Sequence, residues 1–318
     1  MTLPTFVIGG APKAGTTAMW GFLDAHPQVW MSKIKEPHFL TRDATHPAPG
    51  VRIIGTRRPD TYSRGIDWYE RLFDGADGHP ARGEASTHYL GALDGPELMN
   101  RHVPGLRLIF ILRQPVERAY SHYWHYWKRG WELPPFSNVL QDDPGLRYLT
   151  YMSRYRQHLE RYLDAFGSDR IHLVLFDDLR ADPASAYRQV CRFIGVDDQF
   201  EPSFVPEYNA HGRPRSRVLQ RGISWTKYVR WDFLPARPRR LLHRVRDQIE
   251  ARNVRAARYR PLDAETHHRY LERFEDDIRF VEELTRPLPD WRRPQAVRQD
   301  PAPADTDPAV GTPGPGGS

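Results

Sequence analysis

Apolar positions in the first two hundred residues follow two alternating rhythms. Short, nearly unbroken apolar runs at Thr5–Gly10, Ala81–Ala85, Leu106–Leu112 and Ile171–Phe176 predict strands. The run Leu106-Arg107-Leu108-Ile109-Phe110-Ile111-Leu112 is almost continuous, as a strand covered on both faces should be. Between these runs, apolar residues recur at helical spacing over Thr17–Ala25, Val116–Lys128, Arg154–Phe166 and Pro183–Ile194. Strands alternating with helices predict an α/β fold, with a central parallel β-sheet flanked by helices. Thr41–Asp67 is rich in Pro, Gly and Arg and reads as a long excursion, a kind of segment that often carries function.

Beyond Phe200 the rhythm changes. Residues 201–217 are Pro- and Arg-rich, and 218–256 are basic with interleaved Trp225, Tyr228, Trp231 and Phe233. The latter stretch is expected to form a helical pair whose apolar side (Leu241, Leu242, Val245, Ile249) packs on the core. Contact with an amphiphilic acceptor or a membrane surface is its alternative reading. A last helix is predicted from Asp263 as N-cap, with Leu271, Phe274, Ile278, Val281 and Leu284 in one stripe. The expected organisation is one domain over 1–294, of which 218–294 is a mostly helical extension, and a disordered tail over 295–318.

Composition narrows the class. The chain has 318 residues, 39% hydrophobic and 12% aromatic, enough for a substantial core. No apolar run approaches bilayer-spanning length, so no stable membrane insertion is expected. The first strand starts almost at Met1, leaving no room for a signal peptide, and the single cysteine, Cys191, excludes an internal disulfide framework. Both point to the cytoplasm. The net charge is +6, and the chain has only five lysines, Lys13, Lys33, Lys35, Lys128 and Lys227. This basicity fits a solvated arginine-rich surface or an anionic cofactor or acceptor. No nucleic-acid motif accompanies it, so no nucleic-acid partner is expected. No Cys/His spacing indicates zinc, and oligomeric state has no signature.

The segment Phe6-Val7-Ile8-Gly9-Gly10-Ala11-Pro12-Lys13-Ala14-Gly15-Thr16-Thr17 is the most telling. An apolar run breaks into a small-residue loop and leads into a helix, the arrangement that binds phosphate at a helix N-terminus. Gly10 and Gly15 have the spacing of a nucleotide-triphosphatase loop, G-x-x-x-x-G-K-[ST]. Here Thr16 stands where that lysine belongs, and Lys13 comes earlier. The fold is therefore P-loop-like without being that loop. A tight turn with an incidental lysine is the alternative.

Three further segments hold candidate chemistry. In Lys33-Ile34-Lys35-Glu36-Pro37-His38-Phe39, a carboxylate and an imidazole lie two positions apart beside two lysines, a possible acid–base cluster. Pro37 disfavours αR at Glu36, so extended backbone is expected there, with residues 36 and 38 pointing the same way. An exposed charged loop is the alternative. In Arg113-Gln114-Pro115-Val116-Glu117-Arg118-Ala119-Tyr120-Ser121, Arg113 ends the buried strand and Pro115 suits a first helical turn. Ligands of open α/β sheets bind at the carboxyl ends of strands, and arginine suits bidentate phosphate recognition. A structural salt bridge for Arg113 and an ordinary helical serine at Ser121 are the alternatives. In Gly83-Glu84-Ala85-Ser86-Thr87-His88-Tyr89-Leu90, Glu84 reads as an anchor, and Ser86 and His88 as groups facing a ligand; a hydrogen-bonded turn is the alternative.

Together these segments resemble the sulfotransferases that use 3′-phosphoadenosine 5′-phosphosulfate, in the branch of the heparan-sulfate enzymes and their bacterial relatives. The matching residues are Pro12-Lys13-Ala14-Gly15-Thr16-Thr17, Lys35-Glu36-Pro37-His38-Phe39, Gly83-Glu84-Ala85-Ser86, Arg113 through Ser121, and Gly212-Arg213. The resemblance implies that Lys13 neutralises charge on the leaving phosphate oxygen. Pro12 through Thr17 would hold the 5′-phosphosulfate, Arg113 and Ser121 the 3′-phosphate, and Gly212-Arg213 would close over the cofactor. Glu36 would be the base toward an acceptor hydroxyl or amine, and His38 would orient the acceptor or share that task. Ser86, His88 and Tyr89 would contact the acceptor, a small molecule, glycan or carrier-linked group. A sulfuryl group carries less charge than a phosphoryl group, so no metal is demanded.

The chain departs from the family pattern at two places. Ala85 replaces a lysine common in animal relatives, leaving Lys33, Lys35 or an arginine to substitute, and His211 replaces a usual lysine. The competing readings are a kinase-like phosphotransferase using the same loop and a non-catalytic nucleotide-binding module.

Overall fold

The computed structural model describes residues 2–42, 60–129, 131, 133–139, 146–202, 212–226, 245–246, 248–249, 252–256 and 262–293. In chain order the elements are β1 (Phe6–Gly10), α1 (Thr16–Asp24), β2 (Val29–Met31), α2 (Ile66–Glu70), β3 (Ala81–Ala85), α3 (Gly95–His102), β4 (Arg107–Leu112), α4 (Pro115–Lys128), α5 (Arg147–Tyr151) and α6 (Tyr155–Phe166). They continue with β5 (Ile171–Leu175), α7 (Phe176–Ala181), α8 (Pro183–Ile194), β6 (Gly212–Pro214), α9 (Arg217–Thr226) and β7 (Val254–Ala256), then helices Ala264–Glu272 and Glu275–Leu284.

The first five strands make one parallel sheet in the order β2-β3-β1-β4-β5. The predicted strands and flanking helices are all present. β2 adds an edge strand from the short apolar run Val29-Trp30-Met31. Every residue of β1 is buried, as are Leu108 through Leu112 of β4, because helices cover both faces. β1 is central: Val7 pairs with Glu84 on one side and Leu108 on the other. Gly83 makes the β1–β3 contact possible, since a Cβ there would meet the Phe6 ring at 2.1 Å. The chain leaves β1 toward β2 and β3 on one flank, while β4 and β5 continue on the other. The crevice at this reversal lies beyond the carboxyl ends of β1 and β4, where Lys13 and Arg113 follow their strands.

Two expectations for the C-terminal part are corrected. The last helix is two helices, broken at Arg273–Phe274. Arg154 from the start of α6 donates to the Arg273 carbonyl and lies over the Phe274 ring, so the break is filled from another element. Leu284, at the end of the predicted stripe, is exposed. In the basic stretch, Val245 and Ile249 are exposed rather than packed, and Val254–Ala256 is a strand pairing antiparallel with Gly212–Pro214. Leu241 and Leu242, Tyr228, Trp231 and Phe233, residues 43–59 of the Thr41–Asp67 excursion and the tail from 295 lie outside the described residues.

Candidate active site

The loop between β1 and α1 is shaped by backbone geometry and clamped from β4 and α4. Gly15, the N-cap of α1, has φ +92°, and a Cβ there would press on Leu179 at 2.9 Å. No side chain caps this helix, and its first turn has no acidic residue. The Thr16 and Thr17 amides belong to the first turn, which has no intrahelical acceptors. An uncapped helix start with its dipole unanswered is suited to an anion. Behind the loop, Arg113 Nη1 donates to the Lys13 carbonyl at 3.5 Å and Arg118 Nη1 to the Pro12 carbonyl at 3.4 Å. The Ala11 amide donates to the Ile111 carbonyl at 2.8 Å.

Arg118 is fully buried and was not singled out by sequence. It also donates from Nε to Ser153 at 2.6 Å and from Nη2 to the Leu149 carbonyl, tying α4 and α5 to the loop. Arg113 lies over the Phe176 ring at 4.9 Å and pairs with Glu117 at 3.4 Å. Its backbone is held at both ends by Tyr155, whose hydroxyl donates to the Arg113 carbonyl at 2.6 Å and accepts from its amide at 3.3 Å. Ser121 lies two turns into α4 and is buried. β6, with Gly212 and Arg213, packs against α4.

The Lys33–Phe39 loop is stitched to the end of β3. The Ser32 amide donates to the Gly83 carbonyl at 2.8 Å and the Glu36 amide to the Ala85 carbonyl at 2.9 Å. The His38 amide donates to Ser86 Oγ at 3.1 Å and the Leu40 amide to the Tyr89 hydroxyl at 3.1 Å. Both hydroxyls in turn donate to Glu84, at 2.8 Å each, and Tyr69 adds a third donor at 3.2 Å. Glu84 is fully buried, and burial pushes its carboxyl up to about 7 against these hydrogen bonds. Glu84 is thus the anchor beneath the loop. Ser86 and Tyr89 are fully buried with their hydroxyls turned to it, which does not support the expected direct contact with an acceptor.

Glu36 corrects a second expectation. Its backbone is left-handed, φ +58°, and so is that of His38, φ +54°. Proline disfavours αR before it but leaves αL open, and the ladder onto β3 holds both residues there. The side chains still converge, with His38 Nε2 3.6 Å from Glu36 Oε2, while Thr87 donates to Glu36 Oε1 at 2.8 Å. His38 meets the His88 ring edge-to-face at 5.1 Å, and His88 stacks on Tyr148 at 5.5 Å. Among the described residues, the non-glycine residues with positive φ are Lys13 (+70°), Glu36 and His38. Such backbone costs about 1–3 kcal/mol per residue and gathers at functional sites.

Cations crowd the loop. Burial, with the charges of Arg129, Arg113, Lys128 and Lys35, brings Lys13 down from 10.5 to about 8. Lys35 donates to the Thr17 hydroxyl and is itself lowered by burial, a shift that Glu36 opposes. Lys33 instead lies over the Trp30 ring at 5.2 Å. Of the two lysines expected to substitute for the cation missing at Ala85, Lys35 is the one beside the loop. Burial and the Lys13 charge hold His125 of α4 well below the usual imidazole range. His125 and Lys128 lie in the last turn of α4 and Arg129 caps it, and no motif in the sequence signalled their nearness to Lys13.

A sequence profile described as the sulfotransferase family matches residues 4–202. Human bifunctional heparan sulfate N-deacetylase/N-sulfotransferase 3 is 28% identical over 240 residues, covering 69% of this chain and 25% of that protein. The Bos taurus bifunctional heparan sulfate N-deacetylase/N-sulfotransferase 2 is 30% identical over 213 residues, covering 61% of this chain and 22% of that protein. The chain thus spans about a quarter of the length of these curated relatives. The crystal structure of a sulfotransferase from Alicyclobacillus acidocaldarius aligns with a TM-score of 0.66 at 25% identity, covering 92% of this chain and 100% of that one. The profile takes in the clamped loop, the β3 ladder and the Arg113 strand end together, and this chain belongs to the sulfotransferase family.

Proposed function

We propose that the chain transfers the sulfuryl group of 3′-phosphoadenosine 5′-phosphosulfate to a hydroxyl or amine of a small-molecule, glycan or carrier-linked acceptor. The observation that carries this reading is the left-handed backbone of Lys13, Glu36 and His38, the three residues to which the chemistry was assigned. The site fits the cofactor. An uncapped helix start with no acid suits one phosphate, and a largely buried Arg113 beyond the neighbouring strand suits a second.

When bound, the cofactor supplies the activated sulfuryl group. Pro12, Ala14 and Gly15 shape the loop, and the amides of Thr16 and Thr17 hold the 5′-phosphate end. Arg113 and Ser121 take the 3′-phosphate, and Gly212 and Arg213, on the strand against α4, cover the nucleotide. The Lys13 ammonium stabilises the negative charge that gathers on the departing phosphate oxygen, the position where a preorganised cation acts most strongly. Glu36 accepts the acceptor's proton at Oε2, the oxygen turned away from Thr87. His38 and His88 orient the acceptor. Glu84, through Ser86 and Tyr89, holds the backbone of His38 and Leu40, while the Ala85 carbonyl holds that of Glu36. The relatives named for N-sulfation of heparan sulfate make a glycan amine one acceptor to try first.

A kinase-like reaction is less well supported. The loop has Thr16 where a triphosphate-binding lysine belongs, and the adjacent strand β4 runs into Arg113-Gln114 rather than an acid. A thermal-shift comparison of adenosine 3′,5′-bisphosphate, ATP with magnesium, and NAD separates these readings, followed by an acceptor screen with labelled cofactor. We expect stabilisation by the bisphosphate and label on an acceptor. Stabilisation by ATP that depends on magnesium would favour the kinase, and bisphosphate binding with no label on any acceptor would favour the binding module.

A further inference from the structure

We propose that Glu36, His38 and His88 form a binding site for a divalent transition metal of the Zn²⁺ type, and that its occupation withdraws Glu36 from proton transfer. One donor atom from each residue can be chosen so that all three lie within 4.8 Å of one another. The sequence could not reveal this site by spacing, because His88, just past the end of β3, is brought to Glu36 and His38 by the ladder that joins residues 32–40 to 83–89.

The donor chemistry selects the ion. Two imidazoles and one carboxylate is a set that zinc uses, whereas magnesium and calcium prefer oxygen alone. Zinc–ligand bonds of ~2.0–2.2 Å put ligand atoms about 3.3 Å apart. The Glu36 Oε2–His38 Nε2 pair, at 3.6 Å, is already near that value. His88 has to close the remaining gap by roughly 1.5 Å or less, a side-chain adjustment. His88 is stacked on Tyr148 and meets the His38 ring edge-to-face, so the two imidazoles are already in contact. Thr87 donates to Glu36 Oε1, the kind of outer hydrogen bond that orients a ligating carboxylate. Glu36 is one-third exposed, which gives the ion a path in.

Metal binding stands on these three residues alone, whereas inhibition rests also on the proposed role of Glu36. The test uses the full chain, stripped with chelator and titrated with Co²⁺ while its visible absorption is read, then with Zn²⁺ in competition. We expect one equivalent of Co²⁺ with the strong absorption of a low-coordinate site. His88→Ala and Glu36→Gln should each weaken it about tenfold or more. The thermal shift by adenosine 3′,5′-bisphosphate, measured on each variant, shows that it is folded, and Glu36→Gln, on a partly exposed side chain, serves should His88→Ala not fold. Absence of Co²⁺ binding, or the same affinity and spectrum in both variants, overturns the site. In the transfer assay, Zn²⁺ should slow the wild-type enzyme and chelator should restore it. Co²⁺ binding that needs these residues but leaves transfer untouched overturns the inhibitory role alone.

Discussion

Arg113 donates from Nη1 to the backbone carbonyl of Lys13 at 3.5 Å, joining the two strand ends that flank the crevice. The same guanidinium that braces the loop is the one proposed to take the second phosphate. Replacing Arg113 with Ala removes a charge-assisted contact of about 1.5–3 kcal/mol, or roughly 10- to 150-fold in affinity. Calorimetric titration should show that loss for adenosine 3′,5′-bisphosphate and a much smaller one for AMP. Equal losses for both nucleotides would assign Arg113 to bracing only.

Lys13 gives two pH dependences of opposite sign. Its folded value, about 8, lies below the ordinary 10.5, so between these limits the unfolded chain holds a proton that the folded chain has released. Stability of the ligand-free protein from this group therefore rises with pH across that window. Bisphosphate affinity should fall over the same window, because the ammonium that meets the anion is lost. Lys13→Met should flatten both curves when melting temperature and dissociation constant are followed through it.

Glu36→Gln keeps the shape of the side chain and its bond from Thr87 while removing the proposed base. Turnover should fall by roughly 10²–10⁴-fold, with nucleotide affinity unchanged. Single-turnover transfer of labelled sulfuryl group measures this directly. Unaltered turnover would pass the role to His38 or His88.

Glu84 positions the reacting loop from beneath. Glu84→Ala strands the hydroxyls of Tyr69, Ser86 and Tyr89, each costing about 1–3 kcal/mol if left unpaired. Melting temperature and kcat should both drop while bisphosphate affinity holds, and Glu84→Gln should recover most of the loss. Because the folded carboxyl titrates near 7 instead of 4.5, the folded chain keeps a proton that the unfolded chain gives up between those values. Stability from Glu84 therefore falls as pH rises through that window, and Glu84→Gln should erase the slope.

The parallel sheet was legible because its strands are buried on both faces and its helices carry one apolar stripe each. The strand–loop–helix turn from β1 to α1 was legible because small residues between an apolar run and a helical pattern mark a tight turn. The conformation at Glu36 was not, since a proline rule excludes one backbone region without choosing between the others; the choice is made by Ala85, Ser86 and Tyr89, about fifty residues away. Arg118 stayed hidden because an arginine on an amphipathic helix reads as solvent-facing until its partners at Pro12, Leu149 and Ser153 are known. The break at Phe274 depends on Arg154, which no local periodicity could report.

The most direct measurement is a crystal of the full chain soaked with adenosine 3′,5′-bisphosphate. We predict one phosphate on the amides of Thr16 and Thr17 beside Lys13, and the other on Arg113 and Ser121. A nucleotide bound elsewhere, or one that leaves Arg113 and Ser121 without a phosphate, would contradict the account.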